Sequence, residues 1–306
     1  MRISVDDVRA LYFDDGTPVT AASAVAPLGD GWLVAQDDST SAAWWRARSV
    51  TPVRLVPPVE GHERFSEAAG TKRLKPDLEV ACPAEVDGEP AVLVLGSGST
   101  DRRTRGVLVR LDDGRPVVDA RELAPLYAAV VQRLGLAADQ LNLEGAARCG
   151  DTVRWFNRGN LAAGVPSASV DVPVAGLVDA VLGRVGAGSL PVDRPRVHEL
   201  GEVAGVGLAV TDAIALPDGR LLLSAAAEDA PNAIDDGPVV ASALVLVDGD
   251  TVVDVSWIPE VDGRVVKVEG LALRAVADSA AQLLAVVDDD DPSRPSTALE
   301  LRVAVG

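Results

Sequence analysis

Lysine is scarce in this sequence of 306 residues. It occurs at positions 72, 75 and 267, and the other basic residues are arginines. Acidic residues outnumber basic ones, 46 to 28, which gives a formal net charge of −18. Because phosphate backbones are bound by clustered Lys and Arg side chains, this balance excludes nucleic acid as an expected partner. It favours affinity for cations.

Aromatic residues, cysteines and long apolar runs are also scarce. Aromatics make up 3% of the chain, so Val, Leu and Ala must fill the interior, and Val-rich packing favours strands. The two cysteines, Cys82 and Cys149, follow no recognisable secretory leader, so we expect buried thiols rather than a disulfide. No stretch reaches about 18 uncharged apolar residues, so we expect no membrane-spanning helix, no membrane partner and a cytoplasmic location.

Five short segments share one polar position at similar intervals. They are AASAVA around Ser23, PDLEVA around Glu79, LNLEGA around Glu144, VTDAIA around Asp212 and KVEGLA around Glu269. The intervals between these positions are 56, 65, 68 and 57 residues. The 22 residues before Ser23 and the 37 after Glu269 together match one further interval, so the first segment is expected to complete the last repeat.

Each repeat continues with a second apolar stretch, a polar loop and a third apolar stretch, with hairpin turns such as DDG at 112–114 and PDG at 217–219. Repeats of four antiparallel strands are typical of propeller blades. We therefore predict an all-β fold: one domain over 1–306, a five-bladed β-propeller that the N-terminal strand closes by joining the last blade. A peripheral helix is predicted over 121–135. The stretch 167–182 fits a strand or a helix, and a sixth, degenerate blade between 160 and 205 stays open.

Inner strands of a propeller line its central channel, so the five repeated positions should form a ring. Four carboxylates close to one axis repel each other unless a proton or a cation intervenes. Ca²⁺ prefers oxygen ligands, which predicts a calcium site built from Glu79, Glu144, Asp212 and Glu269. The alternative is that these acids accept hydrogen bonds from neighbouring blades, with Lys267 neutralising part of the ring.

The loops after the second strands should open on the same face as the ring. They are rich in Asp, Asn, Ser and Arg, and arginine suits phosphate or carboxylate recognition. The candidate ligand-binding residues are Ser23, Gln36, Asp37, Ser97, Ser99, Arg103, Arg105, Asn157, Arg158, Glu228 and Asp288. The alternative for any one of them is an ordinary solvated loop position.

Two motifs resemble a known family. The openings Glu144-Gly145 and Glu269-Gly270 and the stretch LVLGSGSTDRRTRG (93–106) resemble bacterial propellers grouped as "esterase-like activity of phytase". Five blades with inward acids also resemble the calcium-activated nucleotidases. These resemblances imply a propeller and a bound calcium ion. The chain departs from them at Ser23, where the other repeats have an acid, and has no histidine at a repeated position.

The functional expectation is a calcium-binding propeller that acts on a small anionic ligand, with hydrolysis of a phosphoester or ester as its most concrete form. The alternative is a non-catalytic propeller that binds a protein or a small ligand on the same face.

Overall fold

The computed structural model describes residues 1–229, 237–277, 280–288, 291 and 294–304. These residues form five antiparallel sheets arranged as the blades of a propeller. In every sheet, strands that are neighbours along the chain also pair, apart from the closing strand. The predicted five-bladed β-propeller is therefore confirmed.

The first strand, β1 (Arg2–Ala10), belongs to the last blade. Blade 1 consists of β2 (Ala22–Leu28), β3 (Gly31–Gln36), β4 (Ser41–Arg46) and β5 (Ser49–Arg54). Blade 2 consists of β6 (Leu78–Val86), β7 (Glu89–Gly96), β8 (Arg105–Asp112) and β9 (Arg115–Glu122).

Blade 3 consists of β10 (Leu143–Cys149), β11 (Thr152–Asn157), β12 (Ser167–Pro173) and β13 (Asp193–His198). Blade 4 consists of β14 (Glu202–Val203), β15 (Val206–Ala215), β16 (Leu221–Glu228), β17 (Val239–Asp248) and β18 (Thr251–Trp257). Blade 5 consists of β19 (Val268–Ala277), β20 (Ala280–Val287), β21 (Thr297–Ala304) and β1.

The ring closes in two ways. The inner strands β2, β6, β10, β15 and β19 contact one another in that order, and β19 contacts β2 again. At the rim, β1 pairs with β21, with Arg2 opposite Ala304 and Ala10 opposite Thr297. This pairing confirms the predicted closure and covers an edge that β21 would otherwise expose.

Two α-helices pack against blades 2 and 3 and share one apolar core with them. The first, α1 (Ala124–Leu134), ends at Gly135, whose φ of 69° suits glycine. It is shorter than the predicted 121–135 because Arg121 and Glu122 still pair with β8. Tyr127 of α1 packs edge-on against Trp155, with ring centroids 5.0 Å apart.

The stretch 167–182 contains a strand and a helix, the two structures considered for it. Its first part is β12, and α2 (Val174–Leu182) follows directly. Residues 160–205 therefore complete blade 3 and begin blade 4, so the hypothesis of a sixth blade there is wrong.

Both cysteines are free thiols, Cys82 buried and Cys149 half-buried. Among the described residues, no helix has the length and apolar character needed to span a bilayer.

Candidate functional site

At an equivalent place in each inner strand, a residue bulges out of its pairing with the second strand of the blade. The bulged residues are Ser23, Glu79, Glu144, Thr211 and Glu269. A bulge leaves the extra residue without a partner in the ladder and redirects its side chain. These five residues hold equivalent places around the axis, and four of them are the positions predicted from the repeat.

The fourth repeat needs a correction: Thr211, and not Asp212, is its ring residue. Asp212 pairs with Ser224 in the ladder and is 1% exposed. Both of its carboxylate oxygens accept hydrogen bonds from backbone N–H groups of three blades. The donors are Ala146 (3.3 Å), Ala213 (2.7 Å) and Leu271 (2.7 Å). Asp212 therefore joins blades 3, 4 and 5 inside the core. This agrees with the alternative in which the acids accept hydrogen bonds from neighbouring blades.

The two hydroxyl residues of the ring also join blades. Ser23 Oγ donates to the carbonyl of Leu78 at 2.6 Å, and Thr211 Oγ1 donates to that of Val268 at 2.6 Å. Each acceptor directly precedes the ring residue of the next blade. Three carboxylates, rather than four, remain to face the axis.

Close packing between blades explains why a glycine follows Glu144 and Glu269. A Cβ atom at Gly145 would lie 2.7 Å from the Cα atom of Asp212, and one at Gly270 would lie 2.7 Å from that of Ala24. Adjacent inner strands approach too closely there for any side chain. The Glu-Gly pairs thus mark the close contacts between blades.

A cavity of about 360 Å³ opens at the ring. Its wall includes Ser23, Glu79, Glu144 and Glu269, together with side chains from the blade connections. Among the described residues that line it, nine are acidic and five are basic. Acidic side chains therefore outnumber basic ones in the wall.

One side of the pocket gathers three acids. Carboxylate oxygens of Asp37, Asp77 and Glu79 all lie within 4.8 Å of one another. The ammonium group of Lys75 contacts Asp37 and lies 2.6 Å from Asp77 Oδ1. Arg103 Nη1 donates to Asp77 Oδ2 at 2.8 Å. Asp77 is thus held by two cations, whereas no hydrogen bond or ion pair joins Glu79 to another described residue.

Burial and these contacts shift the pKa values of Glu79, Asp77 and Lys75. Burial, followed by the negative charges of Asp37 and Asp77, raises the pKa of Glu79 well above its ordinary value. Burial also acts on Asp77, but Lys75 and Arg103 outweigh it and lower the pKa of that carboxyl. Burial would lower the pKa of Lys75, yet the carboxylates of Asp37, Asp77 and Glu79 raise it well above its usual range. Lys75 is therefore an ammonium at every physiological pH.

The other side of the pocket is a chain of ion pairs across blades 3, 4 and 5. Arg158 donates to Glu144 at 3.0 Å and to Glu228 at 2.5 Å. Lys267 lies 3.1 Å from Glu228 and 2.8 Å from Glu269, which matches the neutralising role expected for this lysine. Burial opposes ionisation of Glu228, but Arg158 and Lys267 lower its pKa to about 2. For Glu269 burial prevails and raises the pKa to about 7.

Three buried acceptors in the wall lack a hydrogen-bond partner within the described part of the chain, and one of them, Asp77 Oδ1, has only its ion-pair contact with Lys75. Glu144 is 8% exposed, and its Oε1 accepts hydrogen bonds from Asn142 and Arg158. Its Oε2 accepts no hydrogen bond from any described residue. Asp38 Oδ1 is also buried without a donor. Burial and the charges of Asp37 and Asp288 raise the pKa of Asp38 to about 7.

The predicted ligand-binding residues divide by position. Those in the pocket wall are Ser23, Asp37, Ser99, Arg103, Arg158 and Asp288. Glu228 lies behind Arg158 and Lys267, where it also borders a second cavity of about 180 Å³. Parts of two predicted loops, residues 230–236, 289–290 and 292–293, lie outside the described residues.

Besides Glu228, four predicted residues do not line the pocket. Three of them are fully buried and form internal hydrogen bonds: Gln36, Ser97 and Asn157. Gln36 accepts a hydrogen bond from Thr20 N at 3.2 Å, and Asn157 accepts one from Asn142 N at 2.7 Å. Ser97 donates to Asp77. Arg105 pairs with Glu122 at the end of the β8–β9 ladder. Arg105 is thus a partly exposed surface residue.

Sequence reasoning missed Lys75, Asp77 and Asn142. Asp77 and Asn142 stand two residues before Glu79 and Glu144, as Lys267 stands before Glu269. Asp77 and Asn142 each come directly before an inner strand, so they lie next to its ring residue. This repeated offset was the available signal, since it places a second set of polar groups beside the ring.

A buried serine–histidine contact lies away from the pocket. Ser169 Oγ and His198 Nε2 are 2.8 Å apart in blade 3, and the two residues are 0% and 5% exposed. Burial, with Arg154 and Arg196, lowers the pKa of His198 to about 4. A fully buried serine cannot meet a substrate, so this pair is part of the core.

Comparison with known proteins assigns the chain to a family. Residues 71–292 match the family model described as "Family of unknown function (DUF6910)", so the chain belongs to that family. No curated protein matches it.

Among solved structures, similar folds include a mannose phosphorylase from Leishmania mexicana in complex with phosphate ion (TM-score 0.46, 13% identity, covering 97% of this chain and 88% of that one). They also include a glycoside hydrolase from Bacteroides ovatus (0.45, 11%, 93% and 86%) and a luciferin-regenerating enzyme (0.44, 12%, 95% and 80%). At these scores and identities we infer nothing about activity from them.

Proposed function

We propose that this member of the DUF6910 family binds a divalent cation, Ca²⁺ before others, in its axial pocket and acts there on a small anionic ligand. Hydrolysis of a phosphoester or ester is the proposed reaction. The observation that carries the proposal is the convergence of Asp37, Asp77 and Glu79, whose carboxylate oxygens lie within 4.8 Å of one another in the pocket wall.

The donor set fits calcium. Ca²⁺ binds oxygen at about 2.3–2.6 Å, so two oxygens on one ion are at most about 5 Å apart. The three acids satisfy that limit and offer only oxygen, which disfavours zinc and copper. Glu144 and Glu269 belong to the same pocket wall and are proposed to add ligands or to balance charge. Asp212 is left out of the proposed set because both of its oxygens accept backbone hydrogen bonds.

The proposed chemistry needs an electrophile, an anion site and a base. When bound, the cation would polarise a phosphoryl or carbonyl oxygen. Arg103 and Arg158 lie in the wall and are proposed to orient an anionic group. Glu144 has one buried oxygen without a donor, so it is the proposed acceptor for the proton of an attacking water.

A second function is favoured by a different observation. Four basic side chains of the wall are in ion pairs of 3.1 Å or less with carboxylates: Lys75, Arg103, Arg158 and Lys267. A pocket neutralised in this way can be stable without a metal, which suits a non-catalytic propeller that binds a protein or a small ligand. The phytase-type resemblance and the cytoplasmic location stay predictions.

Thermal unfolding with and without EDTA, followed by calcium add-back, separates the two functions. A ligand that binds only the folded state raises its stability by mass action. We expect the melting temperature to fall with EDTA and to recover with Ca²⁺, with smaller recovery in Mg²⁺. Turnover of phenyl phosphate or phenyl acetate by the calcium-loaded protein then tests hydrolysis. Indifference to EDTA and to calcium would favour the non-catalytic function.

A further inference from the structure

All three lysines of the chain lie in the wall of the axial pocket. They are Lys72, Lys75 and Lys267, whereas the other basic residues of the chain are arginines, of which Arg103 and Arg158 also line the pocket. An arginine supplies charge on a surface as well as a lysine does. Lysine differs in carrying a compact ammonium on a flexible stem, so it can occupy and leave a small ion site. Its restriction to this pocket indicates that an ammonium is needed there.

Lys75 holds the place where the proposed cation would bind. Its Nζ atom contacts Asp37 and lies 2.6 Å from Asp77, and its charge also acts on Glu79. The same three acids form the proposed calcium site. The ammonium and a divalent ion cannot both lie between Asp37 Oδ2 and Asp77 Oδ1, because they would overlap there and repel strongly in a partly dry pocket. A divalent ion must therefore displace the ammonium.

A second feature points to a bound group of higher charge. Glu144 is 8% exposed in the same wall, and its Oε2 atom has no hydrogen-bond partner among the described residues. Its negative charge acts on Glu79. Arg158 pairs with Oε1 and leaves Oε2 without a donor, whereas a divalent ion in the pocket would compensate this oxygen.

We propose that Lys75 is a tethered cation that a divalent ion displaces, and that its released ammonium then binds the anionic group of the ligand. This proposal rests on the proposed function and adds the order of binding to it. Cation and anion then bind cooperatively, because the first releases the residue that holds the second. By linkage, each must strengthen the binding of the other by the same factor.

Calcium titration calorimetry of chelator-treated protein tests the displacement. We expect Lys75→Met to bind Ca²⁺ about tenfold or more tightly than the wild type, because the competing ammonium is gone. Lys75→Arg keeps the charge and should not gain. Lys267→Met is the matched control: it removes a buried lysine paired with two acids on the opposite side of the pocket. It should gain much less, since it does not occupy the site.

The outcomes separate this proposal from the function it rests on. Calcium binding by the wild type with equal or weaker binding by Lys75→Met overturns the displacement and leaves the cation site. No calcium binding by any variant overturns the proposed function. Binding by Lys75→Met alone overturns both, because the lysine then excludes the ion from the native protein.

Lysine-selective NMR covers the case in which Lys75→Met fails to fold. With ¹⁵N-labelled lysine the wild type has three side-chain signals, and Lys75→Arg identifies one of them. Calcium should shift or broaden the Lys75 ammonium signal most. An unmoved Lys75 signal at calcium saturation overturns the proposal.

Binding of phenyl phosphate tests the second step. The wild type should bind it about fivefold or more tightly with calcium than without, which is the low end of typical coupling. Lys75→Met should lose that gain while still binding calcium. Equal gains in both proteins would show that the cation alone recruits the anion.

Discussion

The carboxylate of Asp212 accepts a hydrogen bond from the backbone N–H of Leu271 at 2.7 Å, which joins blade 4 to the inner strand of blade 5. Two further backbone donors, Ala146 and Ala213, reach the same carboxylate. The acid that the repeat assigned to the metal ring is thereby a structural connector of three blades.

Asp212→Ala should destabilise the fold and leave calcium binding unaffected. The change leaves three buried N–H groups without an acceptor, each at a cost of about 1–3 kcal/mol, so we expect a loss of roughly 3 kcal/mol or more in the free energy of unfolding. Urea unfolding followed by circular dichroism measures it. Asp218→Ala, at an exposed acid that pairs with Arg220 in the next hairpin, should change stability little. A small loss of unfolding free energy in the Asp212 variant, together with lost calcium affinity, would show that Asp212 is a metal ligand after all.

Glu79→Gln should remove most of the stabilisation that calcium gives. Glu79 is the ring member of the three-acid group and has no partner of its own among the described residues. The neutral amide keeps the shape and lowers the charge of the site, so calcium affinity should fall at least about tenfold, while the calcium-free protein melts at or above the wild-type temperature. The measurement is the melting temperature at several calcium concentrations. Glu122→Gln, at the acid paired with Arg105 away from the pocket, serves as the control and should respond to calcium like the wild type.

Arg103→Ala and Arg105→Ala form a matched pair, the first in the loop after β7 and the second at the start of β8. Arg103 is 7% exposed and pairs with the buried carboxylate of Asp77, so its loss leaves a buried charge with less compensation and should cost about 3–5 kcal/mol. Arg105 makes a partly exposed pair with Glu122, which is worth at most about 1 kcal/mol. Denaturant unfolding compares the two variants. Phenyl phosphate binding should weaken in the first and persist in the second. Equal losses of stability would contradict the buried pairing of Arg103.

Stability should fall as pH rises from about 5 to 8. Burial raises the pKa of Glu269 from 4.5 to about 7, so between these values the folded state holds a proton that the unfolded state has released. The contribution is fully present below pH 4.5 and is lost as pH rises through 7. Asp38, with its pKa raised to about 7, acts in the same direction, whereas His198, with its pKa lowered from 6.5 to about 4, opposes it up to about pH 6.5 because the unfolded state holds more protons there. Glu228 has a lowered pKa of about 2, so its contribution changes only below this window.

Glu269→Gln should flatten that slope. The glutamine cannot ionise, so the free energy of unfolding should depend less on pH between 5 and 8. Urea unfolding at four pH values measures the slope. Glu300→Gln, at an acid of the same blade that pairs with Arg274, should keep the wild-type slope. An unchanged slope in the Glu269 variant would assign the effect to other groups.

The repeat in the sequence determined the architecture and much of the ring. Blade number, closure by the N-terminal strand and the places of Ser23, Glu79, Glu144 and Glu269 followed from local patterns of apolar stretches and turns, which recur because each blade is folded from consecutive strands. These features depend on residues close together in the chain. A repeat therefore carries them in the sequence.

Tertiary structure decided the fourth ring residue and the charge pairing. The bulge at Thr211 differs by one position from the acid beside it, and a one-residue shift moves a side chain to the opposite face of its strand. The cations that meet the acids come from other segments, as when Lys75 lies against Asp37 and Lys267 against Glu228. Such contacts exist only where blades meet at the axis. Burial there, and not sequence spacing, determines which carboxylates ionise.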